Sequence, residues 1–289
     1  MKIGIFGNSR QQKEPVQKII KILSESKVET YVQKRFFERL NTLGVSCKPE
    51  GLIDEDDNFA IDMALSIGGD GTFLQTASLI GKNDIPILGI NTGRLGFLSD
   101  VSSDDVETAL PYVLSGKYRI EERTQLTLTT ESKAFQGYNY ALNEVAVLKQ
   151  DSSSMITIHA QVNGEYLTSY QADGLIVATP TGSTAYSLSV GGPVLSPDST
   201  NFLLSAIAPH SLTTRPLVIK DDSIIALDVE SRNGHFLVSL DGRSEALNTG
   251  TRLEIKKGHF PLRVVKRVGH TFYETLREKL LWGADPRIK

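Results

Sequence analysis

Three glycines and one carboxylate fall together at Gly68-Gly69-Asp70-Gly71-Thr72, directly after the apolar run Ala64 to Ile67 and before a segment with helical spacing, Thr72 to Ile80. Glycine lets the backbone approach a ligand closely and take positive φ. A helix that begins there aims free N–H groups and the positive end of its dipole at the turn, which suits an anion such as phosphate. Asp70 does not belong in a plain phosphate cradle, because a carboxylate repels phosphate. It can accept a proton from an attacking hydroxyl or help hold a metal on a nucleotide. The plainer reading is an acidic cap on a helix in a tight turn. The string is not a P-loop, since no G-x-x-x-x-G-K-[ST] occurs, and Leu74 fills the last glycine position of a dinucleotide fingerprint.

The elements that must carry this turn alternate in the first ~120 residues between strand-like and helix-like segments. Lys2 to Phe6 and Ile85 to Ile90 are short apolar runs, and Val16, Ile19, Ile20 and Leu23 follow one helical face. Phe36, Leu40 and Leu43 mark a second helix. Asp104 to Leu114 predicts a further one, with Ser103 or Asp104 as its N-cap. Such alternation predicts a parallel sheet with helices on its faces. From about Arg123 the period changes to two, as in Ile156, Ile158, Ala160 and Val162, and Asn163-Gly164, Asn233-Gly234 and Asp241-Gly242 are hairpin signals. Phe272, Leu276 and Leu280 then space a last helix ending near Trp282-Gly283, which is expected to pack back on the first domain. The expected fold is therefore an α/β domain over 1–122, a mainly antiparallel β domain over 123–270, and a C-terminal helix and tail over 271–289.

Composition narrows the function. The 289 residues are 40% hydrophobic and 22% charged, values of a globular protein rather than a disordered one. A formal net charge of −3 argues against a dedicated nucleic-acid binder. Cys47 is the single cysteine, so no internal disulfide forms, which fits a reducing compartment. The longest charge-free stretch, Gly174 to Pro197, is rich in Thr, Ser, Gly and Pro and does not suit a membrane helix. The expectation is a cytoplasmic protein without a membrane partner.

Four ordered segments resemble those of one family. Gly68-Gly69-Asp70-Gly71-Thr72 resembles the GGDGT motif shared by NAD kinases, diacylglycerol-type lipid kinases and, more loosely, phosphofructokinases. Asn91-Thr92-Gly93-Arg94-Leu95-Gly96-Phe97-Leu98 resembles the NTGRLGFL segment of NAD kinases, and Asn143-Glu144 their NE motif. The segment from Asp173 through Thr181-Gly182-Ser183-Thr184-Ala185-Tyr186-Ser187 is similar to the long NAD kinase signature. In the lipid kinases an NE pair follows the glycine turn within a few residues, and here Phe73-Leu74-Gln75-Thr76 follows instead.

The resemblance implies transfer of the terminal phosphate of ATP to the 2′-hydroxyl of the adenosine ribose of NAD, giving NADP. Asp70 matches the family's general base. An ordinary aspartate titrates near ~3.9 and is a weak base at neutral pH, so orienting the hydroxyl is the other role open to it. Gly68, Gly69, Gly71 and Thr72 would form the phosphate-binding turn. Asn143 would contact the adenine and Glu144 the ribose hydroxyls; an amide can pair with an adenine edge, and a carboxylate can accept from paired hydroxyls. Without the resemblance, Asn143-Glu144 reads as a strand end or turn. Asp173 matches a residue near the nicotinamide amide. Thr181, Thr184, Ala185, Tyr186, Ser187, Leu188 and Ser189 belong to the loop that wraps the dinucleotide, with Tyr186 offering a flat face. Arg243 matches a position that reaches the ligand. Gln171 stands where a number of members carry arginine, which bears on the preference between NAD and NADH.

Magnesium is expected to arrive with ATP, with no tightly bound organic cofactor and no structural metal site, and the resemblance further implies a homodimer or homotetramer contacting through the β domain. The acidic run Asp54, Glu55, Asp56 and Asp57 lacks EF-hand spacing and reads as a solvated loop. Lys256, Lys257, Arg263, Lys266 and Arg267 read as exposed strand positions or as an attractor of anionic substrates. The five histidines, His210 among them, show no close metal spacing. Two other functions remain open. A GGDGT-type lipid kinase would need a hydrophobic access route and is disfavoured by the Thr181–Ser189 loop. A non-catalytic NAD(P)-binding regulator on the same fold would be expected to lack an acid at position 70.

Overall fold

The structure, a computed structural model, describes residues 1–9, 11–54, 60–93, 96–132, 134–150 and 154–283. The chain divides into two compact units, Met1–Glu122 with Arg263–Lys289, and Arg123–Leu262.

In chain order the first unit carries β1 (Lys2–Gly7), α1 (Lys13–Glu25), β2 (Glu29–Gln33), α2 (Lys34–Thr42), β3 (Gly51–Ile53), β4 (Met63–Ile67), α3 (Asp70–Ile80), β5 (Ile87–Asn91), β6 (Val101–Ser102), α4 (Val106–Leu114) and β7 (Tyr118–Arg123). The pairs β1–β2, β2–β3, β1–β4, β4–β5 and β5–β6 are all parallel. β4 and β5 are buried at every residue, as strands covered on both faces must be. The helical stripe Val16, Ile19, Ile20 and Leu23 is the buried face of α1. One expected detail differs: α4 starts at Val106 with Asp105 before it, and neither Ser103 nor Asp104 caps it. Ser102 supplies the polar contact instead, its hydroxyl accepting the Asp105 N–H at 3.2 Å. Several capping-type residues in a row leave the exact start to tertiary packing.

The second unit carries β8 (Leu126–Thr130), β9 (Tyr140–Ala141), β10 (Glu144–Lys149), β11 (Ile156–Val162), β12 (Glu165–Ala172), β13 (Gly174–Ala178), a 3₁₀ turn (Thr181–Thr184), α5 (Tyr186–Ser189), β14 (Asn201–Ile207), β15 (Leu217–Lys220), β16 (Ile225–Glu230), β17 (His235–Leu240), β18 (Arg243–Asn248) and β19 (Leu253–Lys257). One sheet runs β15-β14-β13-β10-β17-β18 and the other β12-β11-β16-β19-β8-β9. Their alternating apolar residues, Val145, Val147, Leu175 and Val177 from one and Leu128, Ile158, Leu227 and Ile255 from the other, share one core. A smaller cluster, Ala146, Ile176, Ala178 and Leu203 with Val190 and Leu195, covers the outer face of the first sheet. β13 is thus buried on both faces, which is why it reads as a continuous apolar run.

Asn163-Gly164 and Asp241-Gly242 are two-residue hairpin turns with positive φ at both positions. Asn233-Gly234 is not a hairpin turn. β16 and β17 on either side lie in different sheets, so this turn crosses the sandwich. Turn chemistry tells where the chain reverses, not which strands pair.

β20 (Leu262–Arg267) and α6 (Phe272–Leu280) return to the first unit, where β20 lies between β5 and β7 and pairs parallel with β5. Residues 263–270 thus belong to the first unit, with β20 joining its sheet, rather than to the β-rich segment in which their strand-like pattern placed them. Sheet membership is non-local and leaves no mark on a strand's period. Among the described residues no helix is long and apolar enough to cross a membrane.

Candidate active site

In the first unit the strand β4 ends in the glycine turn and α3 begins at Asp70, with Gly69 as its N-cap. The carboxylate is held on both oxygens: the Phe97 N–H donates to Oδ2 at 2.7 Å and the Leu98 N–H to Oδ1 at 3.1 Å. Each oxygen keeps a further lone pair for a hydroxyl. Gly96 is required by this embrace, since a Cβ there would fall 1.8 Å from Asp70 Oδ1. Gly69 and Gly71 are different, because a Cβ on either would meet nothing within 4 Å. Packing within the protein therefore does not demand glycine at those two positions, and the space beside the α3 N-terminus is left for something else. Gly68 takes φ +150° and would bring a Cβ against Thr72 Oγ1.

A polar net backs the turn that sequence reasoning did not reach. Asn8 Nδ2 donates to Thr72 Oγ1 at 2.6 Å, Gln11 Nε2 to the Ile67 carbonyl at 3.0 Å, and Thr92 Oγ1 to Gln11 Oε1. Asn91 caps the same loop by accepting the Gly93 N–H at 2.9 Å. Asn8 and Gln11 lie about 60 residues before the turn they serve, and an isolated Asn or Gln after a first strand gives no local signal. Arg94 and Leu95 of the NTGRLGFL segment lie outside the described residues, as do Glu55, Asp56 and Asp57 of the acidic run.

The loop that grips Asp70 continues into Asp100, whose side chain is fully buried. Asp100 accepts the Arg267 N–H at 2.7 Å, faces Lys266 Nζ at 3.4 Å and bonds His270 Nδ1 at 3.0 Å. Burial alone would raise its pKa, but the His270 bond, the Lys266 charge and the Arg267 N–H outweigh burial and hold it at about 2. These partners lead directly into α6, which starts on a Thr271–Glu274 capping box. Near the other end of α6 the Lys279 amine is buried and has no hydrogen-bond partner among the described residues, and it lies within charge range of Asp70.

In the second unit Asn143 and Glu144 stand where β10 begins, facing the Asp241-Gly242 turn. The Asp241 carboxylate accepts three consecutive N–H groups, from Leu142 at 2.6 Å, Asn143 at 2.8 Å and Glu144 at 3.1 Å. This fixes the backbone of the Asn-Glu pair. Burial pushes the Glu144 carboxyl up, nearby Asp241 adds to the effect, and the Tyr186 N–H only partly offsets it, leaving Glu144 at about 8. One Glu144 oxygen, Oε2, is buried without a partner. The sequence hid this part of Asp241, because Asp-Gly between two strands reads only as a turn.

The long signature loop is joined to the same pair. The Thr179 N–H donates to the Asn143 carbonyl at 2.9 Å, and Thr179 Oγ1 donates to the Leu142 carbonyl. Gly182 passes so close that a Cβ would lie 2.1 Å from the Asn143 oxygen. Thr181 and Ser187 are buried, and Ser187 Oγ meets Ser205 Oγ at 3.1 Å. Thr184, Ala185 and Leu188 are half-buried, Ser189 is exposed, and the Tyr186 ring is 40% exposed. Asn143, Glu144 and Thr181 to Tyr186 therefore form one group.

Three other expected residues have partners of their own. Asp173 precedes β13 and pairs with Lys149 Nζ at 2.7 Å. Along the β10–β13 ladder Glu144 faces Ala178 and Leu148 faces Gly174, so Asp173 lies at the far end of β13, roughly 16 Å from Ala178 at ~3.3 Å per residue. Gln171 is exposed on β12, its carbonyl accepting the His210 N–H at 2.8 Å. The Arg243 guanidinium is engaged internally, donating to the carbonyls of Tyr138 and Tyr140 and lying over the Tyr138 ring. Five basic residues between 256 and 267 are ion-paired: Lys256 with Glu254, Lys257 with Asp221, Arg263 with Asp84, and Lys266 and Arg267 with Asp100.

Comparison with known proteins agrees with this layout. The ATP-NAD kinase N-terminal domain model matches residues 3–118 and the ATP-NAD kinase C-terminal domain model matches residues 142–267. A protein of Bacteroides fragilis named NAD kinase is 51% identical over 291 residues, covering all of both chains. The crystal structure of yeast NADH kinase complexed with NADH superposes with a TM-score of 0.88 at 27% identity, over 100% of this chain and 90% of that one. An Archaeoglobus fulgidus NAD kinase in complex with ATP gives a TM-score of 0.77 at 27% identity, over 97% and 99% of the two chains. A two-domain phosphotransferase with a GGDGT turn is the class these features define. The chain belongs to the NAD kinase family.

Proposed function

We infer that this chain transfers the terminal phosphate of ATP to the 2′-hydroxyl of the adenosine ribose of NAD, forming NADP and ADP. Mg-ATP is the donor substrate, the metal travelling on the nucleotide. Full-length kinship with NAD kinases supports the reaction, and Asp70 carries its assignment to residues. That carboxylate is fixed on both oxygens by backbone N–H groups beside two glycines with open space. Asp70 receives or orients the proton of the 2′-hydroxyl. The free N–H groups at the start of α3, with Gly69 and Gly71, lie against phosphate oxygens. Such transfers depend mostly on positioning and charge neutralisation.

Asn143 holds the adenine edge and Glu144 the ribose hydroxyls. Thr184 and Ala185 offer backbone groups, and the exposed face of Tyr186 packs on the ligand. Asp173 serves the nicotinamide end, the part of the ligand farthest from the adenine. Gln171 in place of arginine relaxes the preference for NAD over NADH. The protein works in the cytoplasm as a homodimer or homotetramer. Sheet-end strands of the second unit, such as the eight-residue β12, supply the unpaired edges for such contacts.

The test is NADP formation from NAD and Mg-ATP by wild type and Asp70→Asn, with NAD binding measured on both. The expected result is turnover by the wild type and a fall of ~10² or more in the variant, with NAD still bound. A wild type that binds NAD and makes no NADP from ATP or polyphosphate would overturn the reading in favour of a regulator.

A further inference from the structure

The loop around Asp70 does two things at once. Its N–H groups at Phe97 and Leu98 hold the Asp70 carboxylate, and two residues later the buried Asp100 holds Lys266, Arg267 and His270 at the root of α6. Asp70 and α6 are therefore located by one short piece of backbone. α6 carries Lys279, whose amine is removed from water yet bonded to nothing among the described residues. A buried ammonium without a partner is costly and is normally paired. Charges around it come from Asp70 at the start of α3, Glu278 on α6 itself and Lys266 on β20. Asp70 has both oxygens engaged by the loop and makes no bond to the amine. The arrangement is a buried, unbonded cation within charge range of Asp70, the residue assigned above to the attacking hydroxyl.

We propose that Lys279 binds the phosphoryl group that passes from ATP to the 2′-hydroxyl. The inference rests on the kinase reading above. In the reaction the bond from the terminal phosphorus to its bridging oxygen breaks, and ADP leaves with that electron pair. The bond from the 2′-oxygen to phosphorus forms, and the hydroxyl proton passes to Asp70. Lys279 neither gains nor loses a proton. It enters and leaves as the ammonium, and its charge offsets the three equatorial oxygens during transfer. Burial pulls the amine down to about 8, against the pull of Asp70 and Glu278 toward the charged form. Phosphate at the site adds to that pull, so the ligand itself completes the charge.

The experiment compares wild type, Lys279→Met, Lys279→Gln and Lys279→Arg in the full-length enzyme. It measures kcat/KM for Mg-ATP at saturating NAD, NAD affinity by titration, and Tm. The expected result is a loss of ~10² or more in kcat/KM for ATP in the Met and Gln variants, with NAD affinity within about twofold and most activity restored by Arg. Wild-type kcat/KM for ATP should also fall as pH rises past about 8, where the free amine loses its proton, and Lys279→Arg should move that limb upward. The inference fails if either neutral variant keeps kcat/KM for ATP within about threefold of wild type. It also fails if ATP use and NAD affinity drop together with Tm and Arg restores neither. Wild-type turnover in the same assay separates these failures from failure of the kinase reading.

Discussion

Asp241 holds the backbone N–H of Glu144 at 3.1 Å and at the same time raises the proton affinity of the Glu144 side chain. One carboxylate thus fixes the position of the residue proposed to meet the ribose and adds to the effect of burial on its ionisation. Asp241 also takes the N–H groups of Leu142 and Asn143, so replacing it strands several buried donors. Asp241→Asn leaves one carbonyl oxygen for three N–H groups. Each unsatisfied donor costs ~1–3 kcal/mol, so NAD affinity should fall by ~10-fold or more, with a lower Tm. Titration of NAD together with thermal melts measures both. An unchanged NAD affinity would remove Asp241 from the site.

Glu144 also predicts a pH dependence of stability. Its folded pKa of about 8 lies above the ordinary value of 4.5, so the folded protein keeps a proton that the unfolded chain gives up. Stability from this group is complete below about 4.5 and is lost as pH rises toward 8. Glu144→Gln does not titrate. Its Tm should gain on the wild type steadily between pH 5 and pH 8. Parallel Tm curves over that range would show that Glu144 ionises normally.

Gly96 gives a steric prediction. Gly96→Ala sets a methyl 1.8 Å from Asp70 Oδ1, so either the carboxylate or the loop must move. Loss of a positioned proton acceptor costs ~10²–10⁴ in rate. NADP formation should fall into that range while NAD still binds, since Asn143, Glu144 and the Thr181–Tyr186 group are untouched. Near-normal turnover by Gly96→Ala would mean that the grip on Asp70 is dispensable.

Asp100 gives a stability prediction with the opposite pH sense. Its pKa of about 2 lies below the ordinary value of 3.8, so its contribution is present above 3.8 and disappears as pH falls through about 2. Asp100→Asn removes the carboxylate charge that faces Lys266, which is only 6% exposed, and weakens the hold on Arg267 and His270. Breaking a buried ion pair costs ~3–5 kcal/mol. Urea unfolding at pH 7 should show a loss of that order, and the gap to wild type should shrink at pH 3. A loss under about 1 kcal/mol at pH 7 would mean that the cluster does not hold α6.

Much of this molecule was legible before its coordinates. The helical face of α1, the buried strands β4 and β5 and the hairpins at Asn163 and Asp241 follow from period and turn chemistry, which act within a few residues. The glycine turn, the Asn-Glu pair and the signature loop were visible as strings. What stayed hidden is what joins distant parts of the chain. Asp241 lies 97 residues from Glu144, whose N–H it accepts. Asn8 lies 64 residues from Thr72. Lys279 sits on a helix whose pattern marks only its apolar face. Asp173, placed by resemblance with the other ligand contacts, stands at the opposite end of its strand from Glu144's partner Ala178. Arg243 donates to the carbonyls of Tyr138 and Tyr140, partners more than 100 residues away that its turn does not reveal.

The parallel sheet places β20 between β5 and β7, although the whole second unit is encoded in between. On the ribosome, residues 123–262 emerge in full before the strand that completes the first sheet exists. The nascent chain must therefore carry β5 and β7 for some 140 residues of synthesis with the slot between them unfilled, while the sandwich already has every strand it needs. An exposed strand edge is a hazard for mispairing during that wait. The glycine turn and Asp70 are among the first parts of the protein made, and α6 is among the last, so the groups proposed to act on phosphate come together only after the Thr181–Ser189 loop has been synthesised.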